Sequence, residues 1–112
     1  MMHRHAPGEV YYVIEGEFTF YSGGFGTPVE RAIAGPSQVV SLAGGTPHTI
    51  RNESDKDAVA FVVHAPAAPM EDFSRAAAAL AAAGNPSVEA VLETAQRHGI
   101  EMLGPIPAAV SA

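Results

Sequence analysis

His3-Arg4-His5-Ala6-Pro7-Gly8-Glu9-Val10-Tyr11-Tyr12-Val13-Ile14-Glu15-Gly16 is the stretch whose reading decides the fold. In an extended segment residues i and i+2 point the same way, so His3 and His5 aim together. Pro7-Gly8 bends the chain and lets Glu9 approach from the next strand. Two imidazoles and a carboxylate so placed are suited to gripping one metal ion. From Glu9 to Glu15 the chain reads as a strand with two apolar faces. Tyr11 and Val13 share parity with Glu9, while Val10, Tyr12 and Ile14 lie opposite. Such a strand needs cover on both sides. One face is expected to line a barrel interior; the other must meet a second sheet, the tail helices or another subunit.

Outward from this stretch, Glu15-Gly16 reads as a tight turn into a strand over Glu17–Tyr21, making a hairpin. Ser22-Gly23-Gly24-Phe25-Gly26 has no helix after it and so is a weak match to a phosphate cradle. It reads as a hairpin tip, with Phe25 over a pocket mouth. Further strands are expected over Val29–Ile33, Gln38–Leu42, His48–Asn52 and Ala58–His64, parted by Gly- and Pro-bearing turns. Many short strands at this spacing predict an all-β sandwich or small barrel. The composition shifts at Pro66. Beyond it, Met70–Ala83 reads as a helix closed by Gly84. A second helix starts at an N-cap Ser87, carries Val88, Val91, Leu92 and Ala95 on one side, and ends at His98-Gly99. Pro105-Ile106-Pro107 and the small-residue tail are expected to fray. The division is thus residues 1–65 for the β domain and 66–112 for a helical tail packing on the barrel or on a partner subunit.

A chain of 112 residues is one domain's worth, and 47% hydrophobic against 16% charged residues is a globular composition. With no cysteine, thiolate sites and disulfides are excluded and any metal must use His and carboxylate. A net charge of −6, with six scattered basic residues, argues against nucleic acid and against an anionic lipid surface. No apolar run is long enough to span a membrane, and the N-terminus shows no signal-peptide pattern of basic, apolar and small-residue regions. These features are expected of a cytoplasmic protein whose partner is a small molecule.

Ala43-Gly44-Gly45-Thr46-Pro47-His48-Thr49-Ile50-Arg51-Asn52 completes the pattern. Together with the first stretch it resembles the cupin superfamily. That family's first motif is His-x-His, three residues, Glu, six residues, Gly, and His3, His5, Glu9 and Gly16 fit it in full. The second motif ends Pro-x-Gly, two residues, His, three residues, Asn; Gly45, His48 and Asn52 fit. Ala43 stands where the motif has proline, and Ser37 where it has its leading glycine. Both are turn positions. The resemblance spans roughly residues 3–64 and implies a small β-barrel or double-sheet jelly roll followed by two C-terminal α-helices. It also implies a divalent metal held by His3, His5, Glu9 and His48. Gly99-Ile100-Glu101 is similar to the close of single-domain bacterial cupins.

Three imidazoles and one carboxylate suit Fe, Mn, Ni, Cu, Co or Zn, with about two octahedral positions left open. Tyr11, Val13 and Ile50 share parity with ligands on their own strands and are expected to line the substrate pocket. The activity implied is that of an oxidoreductase of the dioxygenase type, acting on a small aromatic or enolic compound, with Glu9 also able to serve as a base. Two alternatives stand beside it: a non-catalytic small-molecule-binding barrel, and a sugar isomerase or epimerase on the same fold. The blander readings place His98 at a helix end. They make His64 structural, or else a pocket group or one bonded to a metal ligand, and let His3 chelate copper or nickel through the chain terminus. Cupins generally carry one or two strands before the first motif. Either the chain starts late, or the C-terminal tail or another subunit fills the exposed edge, and a homodimer with sheet-to-sheet packing is expected.

Overall fold

The computed structural model describes residues 1–107 and 110–111. Nine strands and two helices follow in order: β1 (Met2–Arg4), β2 (Gly8–Glu15), β3 (Phe18–Gly23), β4 (Val29–Ala34), β5 (Val39–Leu42), β6 (His48–Arg51), β7 (Val59–Ala65), α1 (Ala68–Ala82), α2 (Val88–Arg97), β8 (Glu101–Gly104) and β9 (Val110–Ser111). One sheet runs β8-β1-β6-β3-β4-β9 and the other β5-β2-β7. All pairings are antiparallel except β4 with β9. This is the two-sheet β architecture expected, closed by two helices.

Alternation on β2 sets the layers. Glu9, Tyr11 and Val13 turn inward, and Val10, Tyr12 and Ile14 are exposed. Val13 meets Phe20, Ala34 and Leu42, with Tyr11, Phe18, Val40 and Ile50 packed around them. These residues come from both sheets, so the main core lies between the two layers. A second cluster covers the opposite face of the larger sheet, where Leu103 and Ile106 pack on Met2, Tyr21 and Val29.

The structure corrects three expectations. Strands β2 and β3 do not pair as a hairpin: β2 lies between β5 and β7, while β3 lies between β4 and β6. Gly16, at φ +72°, carries the chain from one sheet to the other, and a Cβ there would collide with the Asp57 carbonyl. The true hairpin is β3–β4: Ser22 and Gly23 still pair with Glu30 and Val29, and Gly24–Gly26 begin the tip, where Phe25 is exposed. The tail is not purely helical after Pro66, because β8 pairs with β1 and supplies the edge that the first motif lacks. Arg4 fixes that pairing through hydrogen bonds of 2.7 and 3.0 Å to Glu101. Pro105-Ile106-Pro107 is not frayed, since Ile106 joins the outer cluster and Pro107 lies against Gly24. For Ala108, Ala109 and Ala112 that expectation falls outside the described residues.

The helices follow their caps. Ser87 Oγ accepts from the Ala90 amide at 3.1 Å, and His98 Nδ1 donates to the Thr94 carbonyl at 2.8 Å, which places His98 as a helix-end residue. Thr94 and Ala95 are buried on α2, whereas α1 buries no residue. Among the described residues, no helix is long and apolar enough to cross a membrane.

Candidate metal centre

Strand pairing brings the ligand types together. His3 on β1 stands opposite His48 on β6 in the antiparallel register. His5 follows β1, and its carbonyl accepts from the Gly45 amide at 2.8 Å, so the two motif loops are tied to each other. Gly44 passes so close to the Ala6 carbonyl that a Cβ would collide with it. The result is a group of three imidazoles, His3, His5 and His48, whose ligand atoms all lie within 4.8 Å of one another. Glu9 joins them from β2. Its Oε1 is 3.0 Å from His5 Nε2 and its Oε2 is 3.2 Å from His48 Nε2.

Each imidazole of the group is oriented the same way. Nδ1 of His3, His5 and His48 lies 3.2, 2.9 and 2.8 Å from the carbonyls of Met1, Pro7 and Thr46. A carbonyl only accepts, so Nδ1 carries the proton and the neutral ring presents a bare Nε2 inward. The Nε2 atoms of His5 and His48 then face Glu9 carboxylate oxygens, acceptor against acceptor. His5 Nε2, His48 Nε2 and Glu9 Oε2 are buried with no hydrogen-bond partner. Buried polar atoms are normally paired, and three orphans at one point call for a proton or a cation between them.

Burial and mutual charge also act on these groups. Burial alone would raise the Glu9 carboxyl, yet contact with His48 and its charge, a bond from Tyr11 and the charge of His5 outweigh it and bring the value down to about 2. Burial lowers the His3 imidazole, and the charges of His48 and His5 add to that effect. For His48, burial acts downward, but Glu9 and the Thr46 carbonyl raise it overall. Burial and the neighbouring Glu9 carboxylate also raise the Tyr11 hydroxyl.

Of the residues expected to line a pocket, Tyr11 lies beside Glu9 with its ring edge-on to Phe20 at 5.3 Å. Val13 is fully buried in the main core, and Ile50 borders it. One residue of the site lies outside both sequence motifs. His64 stands opposite Glu9 in the β2–β7 register, and its Nε2 donates to Glu9 Oε1 at 2.9 Å. The usable signal was parity. Ala60, Val62 and His64 alternate inward on β7, but only the register shows that the third of them meets the carboxylate.

The model of the cupin domain matches residues 1–64, the part that carries both motif loops and the four ligand types. The chain belongs to the cupin family. A comparison of this cupin with curated proteins yields no match. Among solved structures it is similar to the crystal structure of Drosophila melanogaster CENP-C bound to CAL1, with a TM-score of 0.51 at 20% identity over 56% of this chain. The alignment spans 54% of that chain, and the likeness is one of fold. The fold also shows what one motif departure entails. Ser37, at the place of the family's leading glycine, holds φ +69°, the left-handed backbone that favours glycine.

Proposed function

We propose that this cupin holds one divalent transition metal between His3, His5, Glu9 and His48, and that it is an oxidoreductase of the dioxygenase type on a small aromatic or enolic compound. The single observation behind the metal is the convergence of His5 Nε2, His48 Nε2 and Glu9 Oε2, buried, unpaired and aimed at one point. Fe, Mn, Ni, Cu, Co and Zn all suit this donor set. A metal held there would supply a Lewis acid and a template for an enolic or catecholic substrate. The chain's own residues do the rest. The three backbone-anchored imidazoles keep Nε2 unprotonated, Glu9 balances the charge and stands ready as a base, and Tyr11, Val13 and Ile50 form the apolar floor. In this reading residues 1–65 carry the chemistry and residues 66–112 brace it. The cysteine-free chain suits the cytoplasm.

Metal analysis of the protein, without any added tag, tests the site directly. One equivalent per chain is expected, with loss of it in His48→Ala. Retention of a full equivalent by that variant would show that the chain terminus, not the barrel, holds the metal.

A second reading is a barrel that binds a small ligand without turnover; separately, the fold leaves an apolar surface exposed. Val10, Tyr12, Ile14, Val39, Val59, Phe61 and Val63 are all 40% or more exposed on one face of β5-β2-β7. We assign this face to a second copy of the chain. It is self-compatible because its centre carries no charge, and stable interfaces cover about 800 Å² per partner. The same fold is seen in CENP-C bound to CAL1, a protein partner. Dioxygen uptake with catechols, flavonols and diketones separates enzyme from binder, since a thermal shift without uptake favours the binder. Sedimentation should give a dimer that Phe61→Glu dissociates, and a monomeric parent chain would remove the assignment.

A further inference from the structure

His64 connects the buried ligand set to open space. Its side chain is 27% exposed, whereas those of His5, Glu9 and His48 are 1, 3 and 3% exposed. One side of it is fixed to Glu9 by the 2.9 Å hydrogen bond, and its ring centroid lies 6.3 Å from that of His5. It also lines a cavity of about 220 Å³, together with Ala67, Met70, Glu71 and Ser74. A larger cavity of about 450 Å³, between α2 and β8, contains none of the imidazoles. Size does not choose between them; contact with the ligand set does.

The smaller cavity has a mixed lining. Met70 and Ala67 are apolar, Ser74 offers a hydroxyl, and the Glu71 carboxylate is paired with Arg75 at 2.9 Å. A few polar groups in an apolar wall orient a small ligand. With Glu71 at its rim and Glu9 behind His64, the cavity disfavours an anion and suits a neutral molecule bearing hydroxyl or carbonyl oxygens. Its outer wall is α1, which buries no residue, so widening the cavity disturbs no core packing. The opposite end of the interior is closed, because Val13 and Phe20 are 0 and 2% exposed.

We propose that the cavity between the end of β7 and α1 is the entrance and outer subsite for a small neutral oxygen-bearing ligand. His64 forms its inner wall and positions Glu9, holding Oε1 on the His5 side so that Oε2 is left to His48. This rests on the metal-site reading for what lies behind His64, although the cavity stands on its own geometry. Catechol serves as probe, with the ¹⁵N-labelled full chain loaded with zinc. It should shift the amides of Ala67, Met70, Glu71 and Ser74. Ser74→Trp and Ala67→Trp, both at exposed positions, should each weaken catechol by about tenfold, roughly 1.4 kcal/mol, while the bound zinc remains unchanged. Shifts elsewhere, no shifts, or unaltered affinity in both variants would overturn the entrance. If the parent chain takes up no zinc, the metal reading fails, and the same titration on metal-free protein still decides the cavity. For the positioning role, His64→Ala should lower zinc affinity by about 10–100-fold, and His64→Gln, which keeps a donor, should restore much of it. Equal zinc affinity in all three proteins would overturn that role.

Discussion

The two ends of the inward row on β2 are built on opposite principles. At one end Glu9 sits among His5, His48 and His64, with buried atoms left unpaired. At the other, Val13 sits among Phe20, Ala34 and Leu42, with nothing polar to satisfy. Five residues of one strand thus run from a cluster that costs stability when alone to one that supplies it. The packed end lets the chain afford the polar one. A folded domain has only about 5–15 kcal/mol in hand, so the polar end must be offset by packing or relieved by a bound cation.

The largest effect should come from the packed end. Phe20 is 2% exposed and touches Tyr11 and Phe18 with ring-centroid distances of 5.3 and 6.5 Å. Phe20→Ala is expected to remove about 3–5 kcal/mol from the urea unfolding free energy. A loss under about 1 kcal/mol would mean that this end is loosely filled, and the contrast between the ends would collapse.

The next effect separates the ends by metal dependence. In Glu9→Gln the amide can donate to a bare Nε2, so the metal-free protein should change by only about 1 kcal/mol. Zinc at about a thousandfold excess over its Kd should stabilise the parent chain by about 4 kcal/mol, and most of that response should vanish in the variant. Urea unfolding with and without zinc measures both. Collapse of the metal-free variant would instead make the carboxylate a structural member of the polar end.

The ligand types were legible because their spacing is local. His3 and His5 are two residues apart, and Glu9 and His48 each sit beside a turn that Pro and Gly announce. What sequence could not supply was pairing between distant strands. The contact of His64 with Glu9 spans 55 residues and depends on the β2–β7 register. Glu15-Gly16 has the chemistry of a hairpin turn, yet the same glycine geometry serves a crossing between sheets. Strand β8 is four residues without clear alternation, and it becomes a strand by pairing with β1, where Arg4 meets Glu101. Its apolar residue Leu103 then packs on the outer cluster. Two-sided apolarity on β2 was visible from the start. That the outer side stays exposed in the single chain emerges only once the helices are seen to pack elsewhere, α2 against β8.

The smallest effect tests whether the ends are independent. Ser37 turns the chain between β4 and β5 with φ +69°, its amide donating to the Val13 carbonyl at 2.9 Å. The Val13 amide in turn donates to the Gln38 carbonyl at 3.0 Å, so this turn is anchored at the packed end. A side chain in left-handed backbone costs about 1–2 kcal/mol, and glycine removes that cost while adding freedom to the unfolded chain. Ser37→Gly should therefore stabilise the protein by about 0.5–1 kcal/mol net, read from the urea midpoint. Zinc affinity should not move, because the turn lies at the far end of β2 from Glu9. A stabilised variant with altered zinc affinity would show that strain at the packed end is transmitted along β2 to the carboxylate. The two ends would then be one coupled unit.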